Sequence, residues 1–116
     1  MSEVIKRMEE LYPECTNELL DNFDKAYKLW CKKQSDYGDG NIRLGLNISS
    51  KSSSQTNKAL SQLGVVIRMN DKIQRLINLV VKENKNPLNE PVLDAFSDLS
   101  VYGIIAMLVD QDAWGK

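Results

Sequence analysis

The chain has 116 residues, a length that suits a single domain. Hydrophobic residues make up 42% and charged residues 27%, which is typical of a soluble globular protein and too apolar for a disordered one. The net charge of −1 excludes the strongly basic field that duplex nucleic acid binding usually needs. Histidine is absent, so we expect any metal to be held by oxygen ligands.

The number of cysteines and the hydropathy of the chain indicate where in the cell the protein is located. The two cysteines are too few for a disulfide framework, and the N-terminus shows no signal-peptide pattern, so a cytoplasmic location is expected. The most apolar run, residues 101–109, is well short of the ~20 residues that a helix needs to span a bilayer. We therefore expect no membrane partner.

The first half of the chain predicts two helical segments. Residues 1–15 form an N-terminal arm, with Ser2 as its cap and an interruption at Pro13. A strong amphipathic helix follows from Thr16, its cap, to about Lys33, because apolar residues recur there with a period of 3.6.

A long connection is predicted after this helix. Glycine, Asn and Asp residues in 35–41 end the helix. Apolar residues alternate over 42–48, but the run is short and has no second strand to pair with, so we predict an extended loop. The low-complexity segment 49–54 is predicted to be a flexible surface loop.

Two helices complete the domain. One runs from about Gln55 to Lys85, and the last is capped by Asn89 with Glu90 in its first turn. Residues 99–109 are apolar nearly all round, which predicts burial on several sides and at least a dimer. The expected fold is all-α: one domain over residues 1–116, a small oligomeric bundle of about four helices.

Rows of charged residues mark the last two helices. The row on the earlier helix falls at i, i+3, i+4 and i+7 and contains Arg68, Asp71, Lys72 and Arg75. The row on the last helix steps by four and contains Glu90, Asp94 and Asp98. A short connection between the helices favours antiparallel contact, so the two rows are expected to face each other.

Three functions are compatible with facing rows. In the first, Asp94 and Asp98 bind Mg²⁺ together with Glu90 or, alternatively, Asp71. The cations hold phosphates, and water attacks a phosphoanhydride with Asp94 and Asp98 as catalytic residues. In the second, the same cations bind a nucleotide without turnover. In the third, the rows form a structural salt-bridge network.

Asp36 and Tyr37 are a second candidate for nucleotide binding. A glycine-containing turn exposes backbone N–H groups, and a tyrosine can stack on a base. The alternative is a turn that only ends a helix. The chain lacks the P-loop, dinucleotide-binding, paired CxxC and Ser-His-Asp patterns, which excludes the corresponding classes of site.

Three blocks of sequence resemble one family. They are Lys33 with DYGD at 36–39, GVVIRMNDKIQRL at 64–76, and the spaced Glu, Asp, Asp-Leu and Tyr of 90–102. Their combination is similar to the nucleotide modification associated domain 1 family of bacteria and phages, which resembles the all-α nucleoside triphosphate pyrophosphohydrolases of the MazG and dimeric dUTPase type.

The resemblance implies an oligomeric α-helical fold, a deoxynucleotide ligand and Mg²⁺ held by acidic motifs on two helices. It also adds Tyr102 to the expected nucleotide-binding residues. The chain departs from the pattern because Arg68, Asp71, Lys72 and Arg75, with a single acidic residue among them, stand where the first acidic motif would fall. Binding without turnover, for instance by a phage protein that sequesters a nucleotide signal, is the alternative that this departure supports.

Overall fold

The computed structural model describes residues 1–40, 42, 54–82 and 91–116. All regular structure in these ranges is helical, so the all-α prediction is confirmed. The elements are α1 (Ser2–Leu11), α2 (Pro13–Tyr37), α3 (Ser54–Leu76), a π-helix that continues α3 (Ile77–Lys82) and α4 (Val92–Asp110).

The helix starts in the N-terminal part differ from the predicted ones. Met1, rather than Ser2, is the N-cap of α1. α2 begins at Pro13, because the missing N–H of proline costs nothing at the first helical position. Thr16 is therefore not a cap: it lies inside α2, and its hydroxyl donates to the carbonyl of Tyr12 at 2.8 Å.

α2 also extends past its predicted end at Lys33. It continues to Tyr37 and stops at Gly38, whose φ of 71° lies in the left-handed region that glycine tolerates. The predicted loops at 43–48 and 49–53 lie outside the described residues, while Ser54 already belongs to α3.

The start of α4 is only partly comparable with the prediction. α4 begins at Val92 with Pro91 as its N-cap. The predicted cap Asn89 and the neighbouring Glu90 lie outside the described residues, as does the predicted end of the preceding helix at Lys85.

The core lies where α2 and α3 pack on α4. Its buried members are Ile42, Val65, Val101, Ile105 and Val109. The last three come from one side of α4, which makes α4 the central helix. Ile42, predicted only as part of a loop, is 1% exposed and closes the core beyond the end of α2.

The C-terminal turn ties three helix ends together. The indole N–H of Trp114 donates to the carbonyl of Asp39 at 2.7 Å, and its ring packs against the core. The Lys58 ammonium donates to the carbonyl of Asp110 at 2.9 Å and lies 3.2 Å from the carboxylate of Asp112. These contacts join the end of α2, the start of α3 and the end of α4.

Trp114→Ala is expected to lower the free energy of unfolding by about 2 kcal/mol, because ring packing and a hydrogen bond are both lost. Trp114→Phe keeps most of the packing and loses the N–H donor alone, so its expected cost is about 1 kcal/mol. Urea denaturation followed by circular dichroism measures both. Equal costs would show that the ring packing contributes nothing beyond the hydrogen bond, and no cost for alanine would show that the turn does not hold the helix ends.

Much apolar surface of the single chain is exposed. None of the residues of α1 and α2 is buried. In the segment 101–109, Val101, Ile105 and Val109 are buried, while Ile104 and Met107 are each 54% exposed. The chain by itself therefore buries one side of α4 and not the several sides that its composition predicts.

One helix in the described part of the chain is long and apolar enough to cross a membrane, by length and composition alone. It is α4, whose mean hydropathy over its most apolar stretch is 1.7. The apolar run at 101–109 is short by itself, whereas the whole helix has 19 residues. Core helices of soluble proteins can share this length and composition; α4 contributes Val101, Ile105 and Val109 to the core, and 22% of its apolar stretch is buried in the single chain.

Candidate functional site

A basic pocket opens between α3 and α4. Its volume is about 310 Å³. The described residues that line it are Arg68, Asp71, Lys72, Arg75 and Tyr102. The whole charged row predicted on the earlier helix thus reaches one pocket, because its spacing of three and four residues keeps it on one side of α3.

Burial differs across the basic pocket. Arg68 and Asp71 are exposed, whereas Lys72, Arg75 and Tyr102 are half-buried. Tyr102 also packs against the hydrophobic core, which fixes the position of its ring. Among the described lining residues, three cations stand against one carboxylate, so the pocket favours an anionic group next to an aromatic ring.

Asp98 connects this site to α2. One carboxylate oxygen lies 2.9 Å from the Nζ of Lys72 on α3, and the other lies 3.2 Å from the Nζ of Lys33 on α2. The Asp98 side chain is only 13% exposed. A carboxylate on α4 therefore holds two lysines from different helices, and one of those lysines also lines the basic pocket.

The ion pairs set the protonation of Asp98. Burial raises the pKa of its carboxyl, but hydrogen bonds from Lys72 and Lys33 and the Coulombic attraction of both ammonium groups outweigh burial. The pKa of Asp98 consequently lies below its ordinary value. Asp98 is a carboxylate at neutral pH and stabilises the folded state in that form.

The described residues do not fit a magnesium centre on Asp98. Its two oxygens already accept from Lys33 and Lys72, and a divalent cation there would be repelled by both ammonium groups. Asp94 is exposed in the first turn of α4, and no group of three or more potential metal ligands occurs in the described ranges. Glu90 lies outside them, so the predicted set of Glu90, Asp94 and Asp98 stays a prediction.

Asp36 and Tyr37 lie away from the basic pocket. Both belong to the last turn of α2, and Tyr37 is 67% exposed. Asp36 borders a different, shallow depression on the outer side of α2, together with Lys28 and Lys32. This placement agrees with the alternative in which the segment ends a helix, and their assignment to nucleotide binding stays a prediction.

Lys33 is the site residue whose contact the sequence did not predict. It contributes to the first block of the family resemblance, but local spacing gives it no partner. Its hydrogen bond to Asp98 joins residues 65 positions apart, which only the packing of α2 on α4 produces.

Family membership was tested by three comparisons. The chain matches none of the protein-family models, curated proteins or solved structures with which it was compared. The resemblance to the nucleotide modification associated domain family accordingly stays a prediction from the sequence blocks.

Proposed function

We propose that this protein binds a nucleotide in the basic pocket, with the phosphate groups held by Arg68, Lys72 and Arg75 and the base placed against Tyr102. The observation that carries the proposal is the convergence of three cations and an aromatic ring on one pocket of about 310 Å³. Arginine suits phosphate because its guanidinium donates two parallel hydrogen bonds. A tyrosine ring supplies a face for a planar base.

The proposal is for binding without hydrolysis. Metal-assisted hydrolysis needs carboxylate oxygens that can coordinate a cation. Those of Asp98 are engaged by Lys33 and Lys72, and this engagement favours the non-catalytic alternative. A role in bacterial or phage nucleotide metabolism, such as sequestering a nucleotide, is what the family resemblance adds.

A purely structural role accounts for part of the site. The contact between Lys72 and Asp98 is a structural ion pair between α3 and α4. A salt-bridge network that served stability alone would not require open space between its cations and an aromatic ring. The basic pocket contains such an open space. That open volume is the reason to prefer a ligand.

Isothermal titration with a panel of deoxynucleoside and nucleoside mono-, di- and triphosphates and cyclic nucleotides tests the proposal. We expect at least one nucleotide to bind at micromolar concentration, with and without Mg²⁺, and its nucleoside to bind at least about tenfold more weakly because the phosphate contacts are missing. Chromatography after incubation with Mg²⁺ should recover the nucleotide intact. Absence of binding to every nucleotide would refute the proposal, and conversion to product would refute its non-catalytic part.

A further inference from the structure

The outer side of α4 carries an apolar row that the single chain leaves uncovered. We call it the outer seam, and it consists of Leu93, Phe96, Ser100, Gly103 and Met107. The intervals alternate between three and four residues, which is the spacing of the a and d positions of a helix that packs along another helix. Leu93 is 70% exposed, and Phe96 and Met107 are each 54% exposed.

The residues at the centre of the outer seam, Ser100 and Gly103, have small side chains or none. A Cβ atom added to Gly103 would meet no atom within 4 Å, so this residue faces open space. The hydroxyl of Ser100 donates to the carbonyl of Ser97 at 2.7 Å, so its donor is satisfied within α4. The seam thus has large side chains at its ends and space at its middle.

A second apolar row lies beside the seam on α2. It contains Leu19, Leu20, Phe23 and Tyr27, which are 49–67% exposed. Between this row and α4 runs a groove of about 400 Å³ whose described lining is apolar. The opposite side of α2 carries the ion pairs Asp21–Lys25 and Asp24–Lys28, each at 2.8 Å, which are typical of a solvent-facing side. The apolar row is therefore the side of α2 that is suited to burial.

We propose that a second copy of this chain covers the outer seam, with the two α4 helices antiparallel across a twofold axis near Ser100. This axis places Leu93 opposite the partner's Met107 and Phe96 opposite the space beside the partner's Gly103. The Phe96 ring of each copy then fills the space at the partner's Gly103, and Leu93 packs on the partner's Met107 in both halves, so the interface is self-complementary. A parallel pair would set Phe96 against the partner's Phe96 and leave the space at Gly103 unfilled.

The exposed area matches what a dimer needs. Four large side chains on α2 and four on α4, including Ile104, are about half exposed or more. A whole side chain of this kind has roughly 200 Å² of surface, of which about half is exposed here, so the eight together offer on the order of 800 Å². This is close to the area that each partner buries in a standard-size interface. Phe23 and Tyr27 of the α2 row and the exposed Ile104 of α4 line the groove between the two helices, so a partner that covers the seam can extend across the groove onto α2.

Charge argues against a lipid surface as the occupant. The charged residues of α4 are Asp94, Asp98 and Asp110, and the helix carries no cation to meet anionic headgroups. Insertion of α4 across a bilayer would also break the contacts of Asp98 with Lys33 and Lys72. A second copy covers the seam and leaves both contacts intact.

The outer side of α3 is a weaker candidate for the same contact. It exposes Leu63, Val66 and Ile73. Its row is interrupted by Asn70 and Gln74, which hydrogen-bond to each other at 3.5 Å and keep it polar. The outer seam has no charged residue and no polar group other than the Ser100 hydroxyl, so it is the better surface for a second copy.

Cysteine cross-linking tests the twofold axis. In the full chain with Cys15→Ser and Cys31→Ser, Ser100→Cys should form a covalent dimer when copper phenanthroline oxidises the two thiols to a disulfide. Asn70→Cys, at an exposed position on α3, is the matched control and should stay monomeric on a non-reducing gel. Failure of Ser100→Cys to cross-link more than Asn70→Cys would overturn the proposed axis.

Sedimentation tests the dimer without a new cysteine. The unmodified chain should sediment as a dimer at micromolar concentration and should not float with vesicles of phosphatidylcholine and phosphatidylglycerol. Phe96→Glu should give a folded monomer, whereas Val81→Glu, at a 75% exposed apolar residue outside the seam, should remain a dimer. A monomeric unmodified chain, or one that floats with vesicles, would overturn the proposal. Neither result depends on nucleotide binding.

Discussion

Arg75→Ala is expected to weaken nucleotide binding by about 2 kcal/mol, or roughly 30-fold, in isothermal titration. Arg75 lines the basic pocket from the last turn of α3 and is half-buried there, so its guanidinium can hold a phosphate with little competition from water. A hydrogen bond to a charged group contributes about 1.5–3 kcal/mol, and each 1.4 kcal/mol corresponds to about a tenfold change in affinity.

Two variants control for this effect. Arg75→Lys keeps the charge and loses the paired donors of the guanidinium. Its affinity for the nucleotide should therefore lie between those of the unmodified chain and of Arg75→Ala. Arg7→Ala removes an exposed arginine from α1 and should leave affinity unchanged. If Arg75→Ala lowers the melting temperature while no nucleotide raises that of the unmodified chain, the charged row serves structure only.

The spacing of apolar residues along the chain predicts where the helices lie. It does not predict where they begin and end, because the ends depend on single residues. The apolar period of 3.6 locates α2 and α3, and each helix contributes apolar residues to the contact with α4, such as Leu29 of α2 and Val65 of α3. Pro13 predicts an interruption of the helical pattern, but proline also begins helices, and α2 starts there. The stop at Gly38 depends on one residue with a positive φ, which a run of Gly, Asn and Asp residues does not locate.

The basic pocket was partly predictable for the same reason. Arg68 and Arg75 lie two helical turns apart, so any pocket along that side of α3 meets both. The partners of Asp98 were not predictable, since Lys33 approaches from a helix that is distant in sequence. Sequence spacing identifies which residues share a side of a helix, and tertiary packing decides what that side meets.

The composition of α4 reflects three different surroundings. One side of the helix, with Val101 and Ile105, forms the core. The side with Asp98 and Tyr102 meets the lysines and the basic pocket. The third side is the outer seam. Because α4 is apolar on nearly every side, its sequence pattern does not distinguish these three sides. For the same reason α4 resembles a membrane-spanning segment in length and composition.

Asp98→Asn is expected to lower the free energy of unfolding by about 2 kcal/mol at neutral pH. The amide keeps the shape of the side chain but removes the negative charge that Asp98 places beside Lys33 and Lys72. Asp21→Asn, which breaks the exposed pair with Lys25, is the matched control and should have little effect on stability. Urea denaturation of both variants and the unmodified chain gives the comparison.

Low pH should remove the stability that the ionised Asp98 gives the unmodified chain over Asp98→Asn. Because the pKa of Asp98 is lower in the folded state than in the unfolded state, its contribution is fully present above the unfolded value of about 3.9 and is lost as the pH falls through the folded value. The gap in stability between the unmodified chain and Asp98→Asn should therefore shrink as the pH is lowered below about 4. A gap that stays constant with pH would mean that the ionised carboxylate is not what joins α2 and α3 to α4.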